Sequence, residues 1–227
     1  MPEGSLLHDR SLLRDVGAIG LAVGAVGVSF GAIAVASGLP PWLTVLMSVI
    51  IFAGGSQFMA VGLIAAGSPL AALFAGLLFN ARHLPFGLAI GDTLGPRRWQ
   101  RVLGAHLMVD ESVAFALAQP DPARRHRAYW ATGATLFVTW NVGALLGIVL
   151  GTSGDPNRLG LDAAFPAGLL ALTLPSLADP RTRLVVLTGA LLAVVTTPLL
   201  PAGLPVLLSL AALALLAVPR RQPEPTA

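Results

Sequence analysis

The sequence predicts an all-α polytopic membrane protein of about eight transmembrane segments with short loops, or seven if one segment is re-entrant. Three observations lead there. Residues 16–81, between Asp15 and Arg82, contain no charged side chain. The 227 residues are 55% hydrophobic and only 11% charged, with a mean hydropathy of +0.79, whereas a soluble domain carries roughly twice that charge. Apolar runs of about 20 residues, enough to cross a hydrocarbon core at ~1.5 Å per residue, alternate with turns rich in Gly and Pro.

The first segment, about Val16 to Ala36, carries Gly17, Gly20, Gly24, Gly27 and Gly31. Small residues three and four apart let membrane helices approach closely. Gly38-Leu39-Pro40-Pro41 is a turn, and the second segment runs from Trp42 to Ile64. Ala53-Gly54-Gly55-Ser56-Gln57 interrupts it and reads as a helix break, tolerated at membrane depth only where protein or a watery cavity satisfies the backbone. After Ala66-Gly67-Ser68-Pro69 comes the third segment, Leu70 to Ile90, with Asn80, Arg82, His83 and Pro85. A basic loop from Asp92 to Arg101 leads to the fourth segment, Val102 to Ala118, with His106, Asp110 and Glu111 in its middle. A second basic loop, Pro120 to Arg127, precedes the fifth segment, Tyr129 to Leu150, which holds Trp140 and Asn141. The loop Gly151 to Gly160, a sixth segment from Leu161 to Leu177 with Asp162 at its start, and a run from Leu184 to Val218 divided by Pro198, Pro201 and Pro205 complete the chain. Residues 1–15 read as an N-terminal segment, 16–218 as a single transmembrane domain and 219–227 as a disordered tail. The glycine-rich first and fifth segments, followed by Gly38-Leu39-Pro40 and Gly160-Leu161-Asp162, suggest a weak internal repeat, a common feature of transporters.

Charge bias sets the orientation. With eight crossings and a cytoplasmic N-terminus, the inner loops and tails carry Arg10, Arg14, Arg124, Arg125, Arg127, Arg181, Arg183, Arg220 and Arg221. The outer loops carry Arg97, Arg98, Arg101 and Arg158. If the fourth segment is re-entrant, both basic loops lie inside. Arginines confined to such loops are topology charges, so the sequence pI of 10.9 does not signal nucleic acid. Glu3, Asp9 and Asp15 ahead of the first apolar run argue against a cleaved signal peptide.

Soluble enzyme chemistry finds no foothold. The chain has no cysteine, which excludes disulfides and thiolate sites. His8, His83, His106 and His126 lack metal-ligand spacing, and no phosphate loop, nucleophile elbow or dinucleotide fingerprint occurs. The chain is not expected to be an enzyme, and no cofactor or metal is implied. Active transport would run on an ion gradient or a partner ATPase.

Polar residues set into apolar sequence are the candidate site, because intramembrane charge is costly and marks ion pairs or substrate paths. Asn80 and His83 share a helix face, with Arg82 about 100 degrees from His83. Arg82 either snorkels to an interface or faces a carboxylate. Asp110 and Glu111 sit one segment later. His106, four residues before Asp110, is placed to touch it on a continuous helix as a proton relay or gate. Gln57 beside Gly54, Gly55 and Ser56 offers an amide and exposed backbone. Asn141 is either a pathway residue or an interhelical hydrogen bond, and Asp162 is either an N-cap or a pathway residue.

Several ordered motifs carry a resemblance. These are Ser29-Phe30-Gly31, Met47-Ser48, Phe52-Ala53-Gly54-Gly55-Ser56-Gln57-Phe58, Asn80-Ala81-Arg82-His83, Asp110-Glu111, Gly143, Gly147, and Gly160-Leu161-Asp162 with Phe165-Pro166-Ala167. Together, over roughly residues 15–178, the chain resembles the AzlC family of branched-chain amino acid permeases. Pro85, where a tyrosine is more usual, and Gly55, for a commoner alanine, depart from the pattern without changing charge. The resemblance implies a bacterial inner-membrane exporter of valine, isoleucine, leucine or methionine. It also implies proton coupling and a small AzlD-type membrane subunit as partner. On that reading, Asp110 or Glu111 would take the substrate's ammonium and Arg82 its carboxylate, with the apolar side chain against Phe52, Phe58 or Phe79. Import, or a non-transporting assembly role, remains the alternative at this stage.

Overall fold

The computed structural model describes residues 3–153, 170, 174–201 and 204–217, and every regular element among them is helical. In order these are α1 (Glu3–Ala36), α2 (Pro41–Ile50), α3 (Gly54–Ala65), α4 (Pro69–Asn80), α5 (His83–Ile90), α6 (Arg98–His106), α7 (Asp110–Leu117), α8 (Pro122–Ser153) and α9 (Pro180–Thr196). Short helices at Leu204–Ser209 and Leu210–Ala217 pack back on α9. Three helical stretches are long and apolar enough to cross a membrane: Ser11–Ala36, Pro69–Thr93 and Pro122–Ser153. The protein is a helical membrane protein. The expected sixth segment, with Asp162, and the tail from 219 lie outside the described residues.

α1 and α8 form the axis, and the glycine stripe does what its spacing predicts. Gly20 faces Thr135 and Thr139, Gly27 lies on the Trp140 backbone, and Gly31 touches the carbonyl of Ala144. From the other side, Gly143 touches the Gly24 carbonyl and Gly147 that of Val28. Residue numbers rise together along both helices, so they run parallel. The face where they start is here called near, and the other far. Around this seam packs a core of Phe30, Phe52, Phe58, Leu136 and Trp140.

The second segment is two short helices that fold back on one another. α2 descends antiparallel to α8, with Ser48 beside Asn141 and Phe52 against Phe137. At Phe52 the chain takes a positive φ of 40°, a conformation that costs a bulky residue ~1–3 kcal/mol. It is held by the ring's burial against Phe137 at 5.0 Å and His106 at 6.2 Å. The break precedes the glycines: Gly54 and Gly55 open α3, where close approach requires them. A Cβ on Gly54 would meet the Trp140 indole at 3.0 Å, and one on Gly55 the Phe79 ring at 2.5 Å. α3 then pairs antiparallel with α4, Gly55 by Phe79 and Leu63 by Ala72. The turn between them puts Gly67 at φ 78° and closes with Ser68 N–H to Leu63 O at 2.8 Å, a Schellman cap before Pro69.

The course of the third segment decides the path. α4 continues into α5 through Ala81 and Arg82, both right-handed helical. The kink there has a cause: Pro85 lacks an N–H, and its ring clashes with the carbonyl four residues back, at Ala81. α5 ends at Ile90 and a short 3-10 turn carries the chain to Thr93, whose carbonyl accepts a hydrogen bond from His126 Nδ1 at 2.7 Å, one turn into α8. The third segment therefore ends on the near face and begins on the far one. α3, antiparallel to α4, rises back to the far face. α2 and α3, roughly 15 and 18 Å long, form a hairpin of half-length helices.

The fourth segment repeats this from the other side. α6 runs along α8 from the near face: Trp99 lies 6.5 Å from Trp130, Tyr129 Oη donates to Gly104 O at 2.6 Å, and His106 packs 5.5 Å from Phe137. The chain unwinds at Leu107-Met108-Val109, and α7 returns along α8 to Gln119, whose carbonyl accepts from Arg125 Nε at 3.0 Å. With nine and eight residues, α6 and α7 each reach roughly 13 Å, less than half of a ~30 Å core. Ser11 and Asp15 of α1 line one groove with Ala118 and Gln119, which puts the end of α7 on the near face. A crossing helix followed by a half-helix hairpin thus occurs twice in opposite sense: α1 with α2–α3, then α4–α5 with α6–α7. The repeat suggested by sequence pairs α1 with α8 instead, and its second Gly-Leu-Asp lies outside the described residues.

Candidate functional site

Three breaks meet at mid-depth. Phe52-Ala53 opens α3, Ala81-Arg82 joins α4 to α5, and Met108-Val109 opens α7, all near the level of residues 133–140 of α8. Of the residues singled out in the sequence, Gln57, Asn80, Arg82, His83, Asp110 and Glu111 lie at or beside these breaks. Arg82 Nη2 pairs with Asp110 Oδ2 at 3.1 Å, with the side chains 28% and 47% exposed, so the pair is accessible rather than sealed. The guanidinium lies over the Phe79 ring, 4.2 Å from its centroid, a cation–π contact. Its Nε is buried without a partner among the described residues.

Asp110 and Glu111 are the first two residues of α7 rather than the middle of a helix. Carboxylates there are favoured by the helix dipole. Ser112 anchors the start, its Oγ accepting from Val109 N–H at 3.0 Å and lying 2.9 Å from Val109 O. The break also corrects one expectation. A contact between His106 and Asp110 requires a continuous helix, but Val109 is extended at φ −136° and ψ 165°. His106 instead packs among Phe52 and Phe137, and forms no ion pair with Asp110 among the described residues.

The other half-helix start is capped in a similar way. Gln57 Oε1 accepts from Ala53 N–H at 3.1 Å, and Ser56 Oγ donates to Ala53 O at 2.8 Å. Gln57 is fully buried, and its Nε2 has no partner among the described residues. His83 Nδ1 donates to Asn80 O at 2.9 Å, while Asn80 Oδ1 is buried and unpartnered among the described residues. Asn141 is engaged at both ends: Oδ1 accepts from Ser48 Oγ and Nδ2 donates to Phe137 O, each at 2.8 Å. Phe52 and Phe58 are core residues, 4% and 7% exposed, so of the three aromatics expected around a substrate side chain only Phe79 faces the junction. Sequence reasoning missed Ser112, whose signal was its position two residues after Asp110 at a helix start. It also missed Trp140 as the wall against Gly54. No cluster able to hold a metal occurs among the described residues.

The family model of the AzlC protein matches residues 18–153, more than half of the chain and all of this junction. The chain belongs to the AzlC family. It is 30% identical over 151 residues to the Branched-chain amino acid transport protein AzlC of Bacillus subtilis (strain 168), covering 64% of this chain and 58% of that protein. To the Inner membrane protein YgaZ of Escherichia coli (strain K12) it is 30% identical over 150 residues, covering 62% and 58%. To an uncharacterized membrane protein of Haemophilus influenzae it is 28% identical over 134 residues, covering 56% and 54%. The chain thus spans somewhat over half the length of the curated AzlC-family relatives it matches. No solved structure matches it.

Proposed function

We propose that this AzlC-family protein is a secondary transporter that exports branched-chain and related hydrophobic amino acids across a bacterial inner membrane. It is coupled to protons and works with a small AzlD-type membrane subunit. The observation that carries the reading is the Arg82–Asp110 pair, half-exposed at mid-depth between a crossing helix and a re-entrant hairpin. Transporters build sites at such depth from discontinuous helices, and the relative from Bacillus subtilis is a branched-chain amino acid transport protein. Separating the pair would free an anion for the substrate's ammonium or a proton, and closing it would restore neutrality between cycles.

Orientation follows from the path. With both hairpins re-entrant, Arg10, Arg14, Arg97, Arg98, Arg101, Arg124, Arg125 and Arg127 all fall on the near face, while the far-face turns at 37–40 and 66–68 carry no charge. This bias is steeper than with eight crossings and supports a cytoplasmic near face. Residues 16–150 then cross three times rather than five.

The test is valine export from cells preloaded with branched-chain dipeptides, with and without the small subunit. Arg82→Ala and Asp110→Asn, at normal abundance, are each expected to lower export at least about tenfold, the equivalent of losing one charge-assisted hydrogen bond. Export at the wild-type rate in both variants would sink the proposal. Uptake in place of export would reverse its direction.

A further inference from the structure

We infer that the N-terminus of α3 is a carboxylate-binding site, and that it, rather than Arg82, receives the carboxylate of the transported amino acid. The inference rests on the transport reading above and assigns its substrate-binding groups.

The first turn of a helix leaves backbone N–H groups without intrahelical partners. In the twelve-residue α3 these belong to Gly54, Gly55 and Ser56, and they make no hydrogen bond among the described residues. Gly54 and Gly55 are partly exposed, so a ligand can reach them, and neither has a Cβ to stand in the way. The independent observation is Gln57. Its Oε1 accepts the Ala53 N–H at 3.1 Å, which fixes the amide orientation, because only the carbonyl end can accept. Nε2 is therefore the donor end, folded back over the same turn, wholly buried and without a partner among the described residues. The Ser56 hydroxyl is turned away onto Ala53 O. Unused donors at the positive end of a helix dipole make an anion site.

Arg82 is less suited to that role. Asp110 already holds its guanidinium at 3.1 Å, and its face rests on Phe79. The edge of that same Phe79 ring closes on Gly55. The cation stands one ring away from the α3 start, where it adds positive potential without occupying the site. A zwitterion bound through its carboxylate at Gly54 and Gly55 leaves its ammonium to compete with Arg82 for Asp110. Loading would thereby loosen the ion pair.

The test is calorimetric titration of the full chain in lipid nanodiscs with L-valine, L-valinamide (no carboxylate), isovalerate (no ammonium) and sodium chloride. Wild type is expected to bind valine and isovalerate but not valinamide. Gln57→Glu keeps the acceptor for Ala53 N–H and replaces the free donor with an anionic oxygen. It should weaken valine and isovalerate about tenfold to a hundredfold, and Arg82→Gln should weaken isovalerate less than about threefold. Unchanged binding in Gln57→Glu, loss of isovalerate in Arg82→Gln alone, or chloride displacing isovalerate at equal concentration would each overturn the assignment. Should Gln57→Glu not fold, Gln57→Met, which removes the amide donor without adding charge, decides: weaker isovalerate supports the site and unchanged affinity overturns it. Isovalerate binding that depends on Gln57 while valine is neither bound nor exported would keep this site and remove the transport reading. Valine export with unchanged KM in Gln57→Glu would do the reverse.

Discussion

At the scale of single residues, the same polar chemistry serves two ends, and partners tell them apart. Asn141 spends both amide atoms inside the bundle, tying α2 to α8 through Ser48 and capping Phe137 O. Asn141→Val should therefore lower the thermal unfolding midpoint of purified protein, because an interhelical hydrogen bond in a membrane is worth ~0.6 to 1.7 kcal/mol. Valine export per folded molecule should be unchanged, and export lost at normal stability would return Asn141 to the pathway. A pairing of Arg82 with Asp110 or Glu111 was legible, because opposite charges in neighbouring apolar segments have few cheaper partners, but which of the two carboxylates it takes was not. The isolation of His106 from Asp110 was not legible. Leu107-Met108-Val109 contains no Gly or Pro to signal a break, so the spacing read as one helix. The Ser112 side chain, returning to the backbone of Val109, helps stabilise the new start.

At the scale of elements, the α1–α8 seam depends on absent side chains. A Cβ on Gly31 would run into the backbone carbonyl of Ala144, which cannot rotate away, whereas one on Gly17 would meet nothing within 4 Å. Gly31→Ala should destabilise the protein by about 1–3 kcal/mol, the usual cost of overpacking, read as a lower unfolding midpoint in detergent. Gly17→Ala should leave the midpoint unchanged or slightly raised, since alanine is the better helix former. Equal midpoints for the two variants would mean that the helices do not meet as described. The stripe was readable because its period of three and four matches one helix face. Its partner was not, since small-residue spacing says that something approaches but not what. A break was visible where residue type marks it, beside Gly54-Gly55. Breaks were invisible where buried packing holds a conformation the residue itself disfavours, as at Phe52.

At the scale of the whole molecule, the count of apolar runs does not fix the path, because a half-helix hairpin and a single crossing have the same length and hydropathy. Residues 41–65 and 98–117 are each long enough to span, yet each is broken into two short helices that fold back on one another. What separates the two paths is contact with residues far away in sequence, such as Thr93 with His126 and Phe52 with Phe137, which periodicity cannot report. The paths differ in an accessible observable. If both segments crossed, Ala66 would lie on the same face as the N-terminus and Asp92 on the opposite one. With both re-entrant, the assignments exchange, while Ser37 stays opposite the N-terminus and Pro120 stays on its side. The chain has no cysteine, so Ser37→Cys, Ala66→Cys, Asp92→Cys and Pro120→Cys each introduce a unique thiol. With a membrane-impermeant maleimide on intact cells, Ser37→Cys and Ala66→Cys should label, whereas Asp92→Cys and Pro120→Cys should label only after permeabilisation. Labelling of Asp92→Cys but not Ala66→Cys in intact cells would restore five crossings. It would also carry Arg97, Arg98 and Arg101 outside, against the charge bias that the hairpins explain, and it would remove the inward-facing start of α3 on which carboxylate binding depends.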